Sequence, residues 1–279
     1  MSSKQLFLIN HLTTVLTNYI QSNDALYSHF KHHNQKYSIY DLTYWIIYSS
    51  IINISIYKLP KSSINMSHSI LYKFNYKLAK LDIFNKFRIY YTQLYLKTIP
   101  ITERLLYIDS TFILNKLGNE EVAFNPQIKK HKTSKISIIC DQFKIPIDVI
   151  ISNSNTHDVK LAYEHVDNIV ANYSNLMNEN NKSIADAAYD SIILHAKLKE
   201  NKLGTLITEI NNRNSHEHRS LNAYQKFMLK SRYKIEHINA NIKKYNKINV
   251  RYDRYFVNFK NTVNMMMCYN LVSKLYNIL

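Results

Sequence analysis

The sequence predicts a mixed α/β fold: a sheet flanked by helices, preceded by a small all-helical region. Two observations predict it. Up to about residue 100 the apolar residues recur at helical spacing, as in Leu6, Ile9, Leu12, Val15, Leu16 and Tyr19. From residue 104 the pattern changes to short runs of strand formers, three in succession and then others alternating with helical stretches. The order strand-strand-strand-helix-strand-helix-strand-helix suggests a mixed sheet of ribonuclease H type. The division that follows is 1–100 for the helical region and 101–279 for the sheet-containing domain.

The N-terminal part reads as four helices, over 4–22, 39–57, 67–84 and 85–98. The polar, basic run His29–Lys36 is a loop, and Leu59-Pro60-Lys61 breaks the second helix. Ser67 can cap the third, and the fourth ends before Pro100. A break followed by a helix carrying Lys73, Lys77 and Lys80 is compatible with a helix-turn-helix on DNA; plain helical packing explains it equally well.

The first strand, Leu105–Leu114, carries Asp109 in mid-run, where an isolated carboxylate is costly, so it needs a partner or a cation. Gly118-Asn119 turns the chain, and 121–134 is a loop holding Lys129, Lys130, His131 and Lys132. Ser134–Asp141 and Ile145–Ser152 complete an antiparallel meander. A helix follows over 159–173, then a polar linker, then a short strand ending at Asp186. Asp190 or Ser191 caps the next helix, and Leu203–Thr208 is the fifth strand. A basic loop with His216 and His218 leads to a long helix over 221–246, and an apolar helix over 256–278 closes the chain, its Met265–Tyr269 run read as core.

Composition narrows the function. The formal charge is +16, from 36 Lys and Arg against 20 Asp and Glu, which points to a polyanion partner. Part of the Lys content follows the general abundance of Ile, Asn, Lys and Tyr. Two cysteines exclude a disulfide framework or a Cys-rich zinc site and suit a reducing compartment. The first residues lack a signal-peptide layout, and the most apolar window, Tyr44–Tyr57, is too short to span a bilayer. An intracellular protein of cytoplasm or nucleus, with no membrane partner, is expected.

Within 221–246, Ile235, Ile238, Ile242 and Tyr245 form an apolar stripe. Arg232, Glu236, Asn239 and Lys243 form a polar one, about 100° round the helix. Glu236 thereby sits at the shoulder, where a helix packed on a sheet presents a carboxylate to the sheet's edge. With Asp109 and Asp186 it makes three acids from distant segments, the donor set of two-metal phosphoryl chemistry.

These blocks resemble a known family. Tyr-Ile-Asp109-Ser-Thr, Ala-Asp186-Ala-Ala-Tyr-Asp190-Ser and Arg232-x3-Glu236-x6-Lys243 look like the three catalytic blocks of DDE transposases of the IS4/IS5 insertion-sequence superfamily. Asn249-Val-Arg251-Tyr-Asp253-Arg254 and the Ile145–Asp158 segment resemble further family segments, so the likeness covers about 104–275. Leu229 stands where the family has tyrosine, and Ala187 and Ala188 where it often has a basic residue or glycine. The resemblance implies a ribonuclease H-like DDE catalytic domain that cuts and joins double-stranded DNA at terminal inverted repeats, as a homodimer in a synaptic complex. It implies Asp109, Asp186 and Glu236 as catalytic and metal-binding triad for Mg²⁺, two ions, with Mn²⁺ substituting. Arg232 and Lys243 become auxiliary DNA contacts. Lys129, Lys130, Lys132, Arg251 and Arg254 are further candidates for phosphate. The alternative is a transposase-derived DNA-binding protein without catalysis, and a third reading is a nuclease on the same fold. Asp190, Asp141 and the His157-Asp158 pair read as caps and turn residues, and His216 and His218 as solvated.

Overall fold

A computed structural model describes residues 2–31, 36–60, 66–125, 131–211 and 220–276. Helix α1, Ser3–Gln21, opens with a capping box in which Ser2 and Gln5 satisfy each other's backbone amides. It buries Leu8, Ile9, Leu12, Leu16 and Ile20 along one face. A short α2, Asp24–Phe30, capped by Asn23, was not expected, and it takes in His29 and Phe30 from the start of the expected loop. Helix α3, Ile39–Ile51, stops short of the expected residue 57, because Asn53 takes a left-handed backbone at φ 58°. Helix α4, His68–Lys80, is capped by Ser67 as expected. It ends before residue 84 because Asp82, at φ 53°, turns the chain into α5, Ile83–Thr98. Of the lysines considered for DNA, Lys77 stands over the Phe30 ring and Lys80 over the Tyr76 ring.

The sheet has seven strands: β1 Leu105–Asn115, β2 Ala123–Phe124, β3 Lys132–Asp141, β4 Pro146–Asn153, β5 Lys182–Ala185, β6 Thr205–Thr208 and β7 Val250–Arg251. Its main order is β4-β3-β1-β5-β6, with β2 beside the start of β3 and β7 beside the end of β1. The β1-β3-β4 part is the expected antiparallel meander; β1, β5 and β6 run parallel. Their crossovers carry α6, Asp158–Tyr173, and α7, Ile192–Glu200.

The expected helix over 221–246 is three pieces: α8 Ala223–Lys230, α9 Tyr233–Lys243 and α10 Asn246–Asn249. The first break is at Ser231. Its hydroxyl donates to the Met228 carbonyl and meets the Tyr107 hydroxyl at 2.9 Å. The next amides, of Lys234 and Ile235, bond three residues back rather than four, so the helix restarts on a new axis. Helix α11, Phe256–Leu275, is buried along most of its length, Met265–Cys268 included.

Alternation along the strands sets two cores. Leu106 and Ile108 pack with Ile139, Ala185 and Leu206 under α6 and α7. Tyr107, Ile113, Ile138, Ile184 and Ile207 pack on the other face with α9, α11 and the N-terminal helices. Among the described residues no helix is long and apolar enough to cross a membrane.

Candidate functional site

Asp109 and Asp186 come from two neighbouring parallel strands, and the charge of Asp186 acts on Asp109. Tyr107 pairs with Ile184 across the parallel β1 and β5. The ladder ends there: Asp109 lies two residues further along β1, and Asp186 two residues beyond Ile184, just past the end of β5. Both share the parity of Tyr107 and Ile184, hence the face that α9 covers. β5 ends at Ala185, and the Asp186 carboxylate caps the following turn, accepting the Ala188 amide at 2.8 Å. Helix α9 docks through Ile235, Ile238 and Ile242, all buried. That turns Glu236 to the rim, where its side chain is 58% exposed.

Arg232, at the head of α9, links these acids. Its guanidinium lies 3.5 Å from Asp186 Oδ2 and 3.7 Å from Glu236 Oε1. The Asp109 carboxyl is pushed up to about 6, first by burial and then by Asp186 and Asp158; the Ser110 amide and Arg232 oppose the rise. Burial pulls the Lys243 ammonium down, against the attraction of Asp109. Arg232 thus touches Asp186 and Glu236, and Asp109 feels the charges of Arg232, Asp186 and Lys243. Among the described residues no three His, Cys, Asp or Glu side chains group closely enough to hold a metal ion. The cation that Asp186 and Glu236 share here is Arg232.

The donor chemistry suits a hard divalent ion: carboxylate oxygens, with no thiolate or imidazole in the cluster. Asn239 adds an amide. Its Nδ2 donates to Asp109 Oδ2 at 3.0 Å, while its buried Oδ1 lacks a hydrogen-bond partner. From the opposite face Asp158 joins the same electrostatic cluster. It accepts from the Ser110 hydroxyl and from Lys135 Nζ, the latter at 3.1 Å. Asn239 stood on the polar stripe read from the sequence, so its place was visible there; nothing in the sequence singled out Lys135 or Ser110.

The other expected contacts divide. Lys129 and Lys130 lie outside the described residues, as do His216 and His218. Lys132 opens β3, exposed, its ammonium over the Phe124 ring. Arg254 is exposed. Arg251 corrects the expectation of a phosphate contact. It is fully buried, donating to the Glu120 and Asp253 carbonyls and the Ser134 hydroxyl and packing on Phe256 and Phe259. Of the two cap candidates, Ser191 caps α7, while buried Asp190 accepts the Asn211 amide. Asp141 is the expected turn residue, accepting the Phe143 and Ile145 amides, and is also ion-paired with Arg104 at 2.6 Å.

The family model for the transposase DDE domain matches residues 100–271, more than half of the chain. The chain belongs to the DDE transposase family. It is an enzyme of DNA transposition by that membership. A piggyBac transposase synaptic complex with hairpin DNA superposes with TM-score 0.50 at 13% identity, covering 96% of this chain and 75% of that one. This likeness shows the shared ribonuclease H-like fold. A Mos1 transposase paired-end complex with left transposon end gives TM-score 0.33 at 10% identity over 90% and 86% of the two chains. A Mos1 mariner paired-end complex with Mn gives 0.32 at 9% over 88% and 81%. A comparison with curated proteins finds no match. DDE transposases generally use divalent metal ions, and this transposase presents carboxylates, not sulfur, at the sheet edge.

Proposed function

We propose that this transposase cuts double-stranded DNA at the terminal inverted repeats of its own element and joins the ends to a target. Asp109, Asp186 and Glu236 are the triad. The observation that supports the reading is Arg232, at the head of α9, within 3.5 Å of Asp186 and 3.7 Å of Glu236, with Asp109 in the field of both Arg232 and Asp186. These three carboxylates would hold Mg²⁺, two ions, with Mn²⁺ accepted in its place. Held there, divalent ions would supply the positive charge that activates an attacking oxygen and stabilises a leaving one. The protein's own part is positional. β1 and the turn after β5 would supply two carboxylates and α9 the third. Arg232 and Lys243 hold phosphate oxygens, Arg232 by leaving its acid partners. Exposed Lys132 and Arg254 extend the phosphate contact.

On this reading residues 101–279 form the catalytic domain and 1–100 a helical, DNA-contacting region, and two copies bind two ends in a synaptic dimer. The three sequence blocks favour the IS4/IS5 superfamily within the larger family. The test is divalent-metal-dependent cleavage of a duplex carrying the gene's own flanking sequence, with Asp109→Asn and Glu236→Gln beside the unaltered protein. Cleavage at the ends that both substitutions abolish is the expected result. Salt-sensitive binding of the ends without cleavage would replace this reading with a non-catalytic DNA-binding protein. Cleavage surviving both substitutions would place the active site elsewhere.

A further inference from the structure

Most buried polar atoms in folded proteins have at least one hydrogen-bond partner, because an unmet one costs stability. Asn239 breaks that rule. Its side chain is 8% exposed, and its Oδ1 has no hydrogen-bond partner in the described structure. An apolar residue of similar size, in line with Ile235, Ile238 and Ile242, would avoid that cost. What the asparagine gains is on the other side of its amide, where Nδ2 donates to Asp109 Oδ2 at 3.0 Å. It stands one helical turn beyond Glu236.

We propose that Asn239 is a positioning residue of the triad, holding the Asp109 carboxylate in the rotamer that receives the divalent ion. The inference rests on the assignment of Asp109 to the metal. Asn239 ties the third block to the first: α9 carries Glu236 to the rim and locks Asp109 at the strand in the same docking. One Asp109 oxygen keeps a fixed hydrogen bond from a neutral donor. The carboxylate therefore has one orientation instead of several, and the ion meets it without ordering it first. Hydrogen-bond partners of metal ligands change metal affinity or activity about 10–100-fold when removed.

The experiment measures Mn²⁺ binding to the full chain without DNA, by electron paramagnetic resonance, for the unaltered protein and for Asn239→Leu, Asn239→Gln and Asp109→Asn. Melting temperature, binding of the flanking duplex in Ca²⁺ and single-turnover cleavage are followed in parallel. Asn239→Leu is expected to weaken Mn²⁺ binding and slow cleavage by about tenfold or more. It should leave melting and duplex affinity unchanged, because the lost hydrogen bond is offset by removal of the orphaned oxygen. Asn239→Gln, which keeps an N–H donor, should recover part of both. If Asn239→Leu binds Mn²⁺ and cuts like the unaltered protein while Asp109→Asn does neither, the role of Asn239 is overturned and the triad stands. Should Asn239→Leu lose duplex affinity in step with cleavage, or Asn239→Leu and Asn239→Gln both fail to fold, the residue is structural and the proposal is likewise overturned. If Asp109→Asn itself binds Mn²⁺ and cuts normally, the triad assignment falls first.

Discussion

Asp109 has a cost that pH should reveal. Burial pushes its carboxyl up to about 6 in the folded chain, from an ordinary value of 3.8. A folded-state pKa above the unfolded one means that the folded protein binds the proton more tightly. Stability is therefore full below the unfolded pKa, falls as pH rises towards 6, and is level above it. Asp109→Asn mimics the protonated form, so it should become more stable relative to the unaltered protein between pH 4.5 and 7.5. The gain should grow by about 2 kcal/mol and then flatten. Urea unfolding across that range checks this, and a gain independent of pH would mean that Asp109 is not desolvated. Saturating Mg²⁺ should reverse the order, because an ion bound to the native state stabilises only the protein that holds it. Arg232 makes a second case. It neutralises Asp186 and Glu236 from 3.5 and 3.7 Å. Arg232→Gln should tighten Mn²⁺ binding in the absence of DNA by several-fold, yet weaken duplex binding and lower the slope of log affinity against log salt by about 1. Weaker Mn²⁺ binding in that variant would mean that the arginine supports the metal site rather than competing for it.

Among the elements, the segment through β7 shows how near-identical residues part company. Arg251 and Arg254 are three apart, both basic and both in the block that resembles the family. β7 pairs with the end of β1, placing Arg251 opposite Asn115, and its guanidinium fills the space beside Gly118, where a Cβ would lie 2.5 Å from Nε. Arg251→Ala strands the Glu120 and Asp253 carbonyls and should cost about 3 kcal/mol. Arg254→Ala, at an exposed site, should leave stability within about 0.5 kcal/mol but weaken DNA binding. Chemical denaturation beside a salt titration of binding separates the two; equal destabilisation would refute the distinction. The sequence could not draw it, because no local pattern encodes the pairing of a two-residue strand with a partner more than a hundred positions away. The same limit explains the break at Ser231. Its apolar spacing continues through the break, where Ser231 meets Tyr107 on a distant strand. What was legible was local: the meander, the cap at Ser67, a cap at Asp190 or Ser191, the mid-strand Asp109 and the two stripes around Glu236. The approach of Arg232 to Asp186, across distant segments, was not. Nor was the orphaned side of Asn239, since a stripe gives direction but not partners.

At the scale of the molecule, the helical region and the sheet are joined by burial and by charge. Leu12 and Leu16 of α1, Phe84 and Phe87 of α5, Ile136 of the sheet and Met265 of α11 belong to a single apolar cluster. Arg88 of α5 donates to the Ile147 carbonyl and to Asp148 of β4, at 2.8 and 3.0 Å, and to Asn264 of α11. Asp148 in turn lies 2.8 Å from His165, whose other ring nitrogen meets Ser137 at 2.9 Å. The three groups line up like a hydrolase relay, but Ser137 and His165 are 0% exposed, so no substrate reaches them. Their role is cohesion. Burial alone would raise the Asp148 carboxyl, but His165 and Arg88 outweigh it and hold it below the ordinary range. A depressed folded-state pKa contributes stability that is present above the unfolded value and lost as pH falls through the folded one. Removing residues 1–100 would take away Arg88 and leave Asp148 buried beside His165 without it, while uncovering α11. Breaking a buried ion pair from one side costs about 3–5 kcal/mol, a large share of the about 5–15 kcal/mol that holds a domain together. The 101–279 fragment alone should therefore fail to fold. The full chain should melt in one calorimetric transition, whose midpoint falls in acid as Asp148 takes up its proton. Two transitions, or a fragment that folds and binds metal by itself, would show that the helical region is an attachment to the catalytic sheet rather than part of its core.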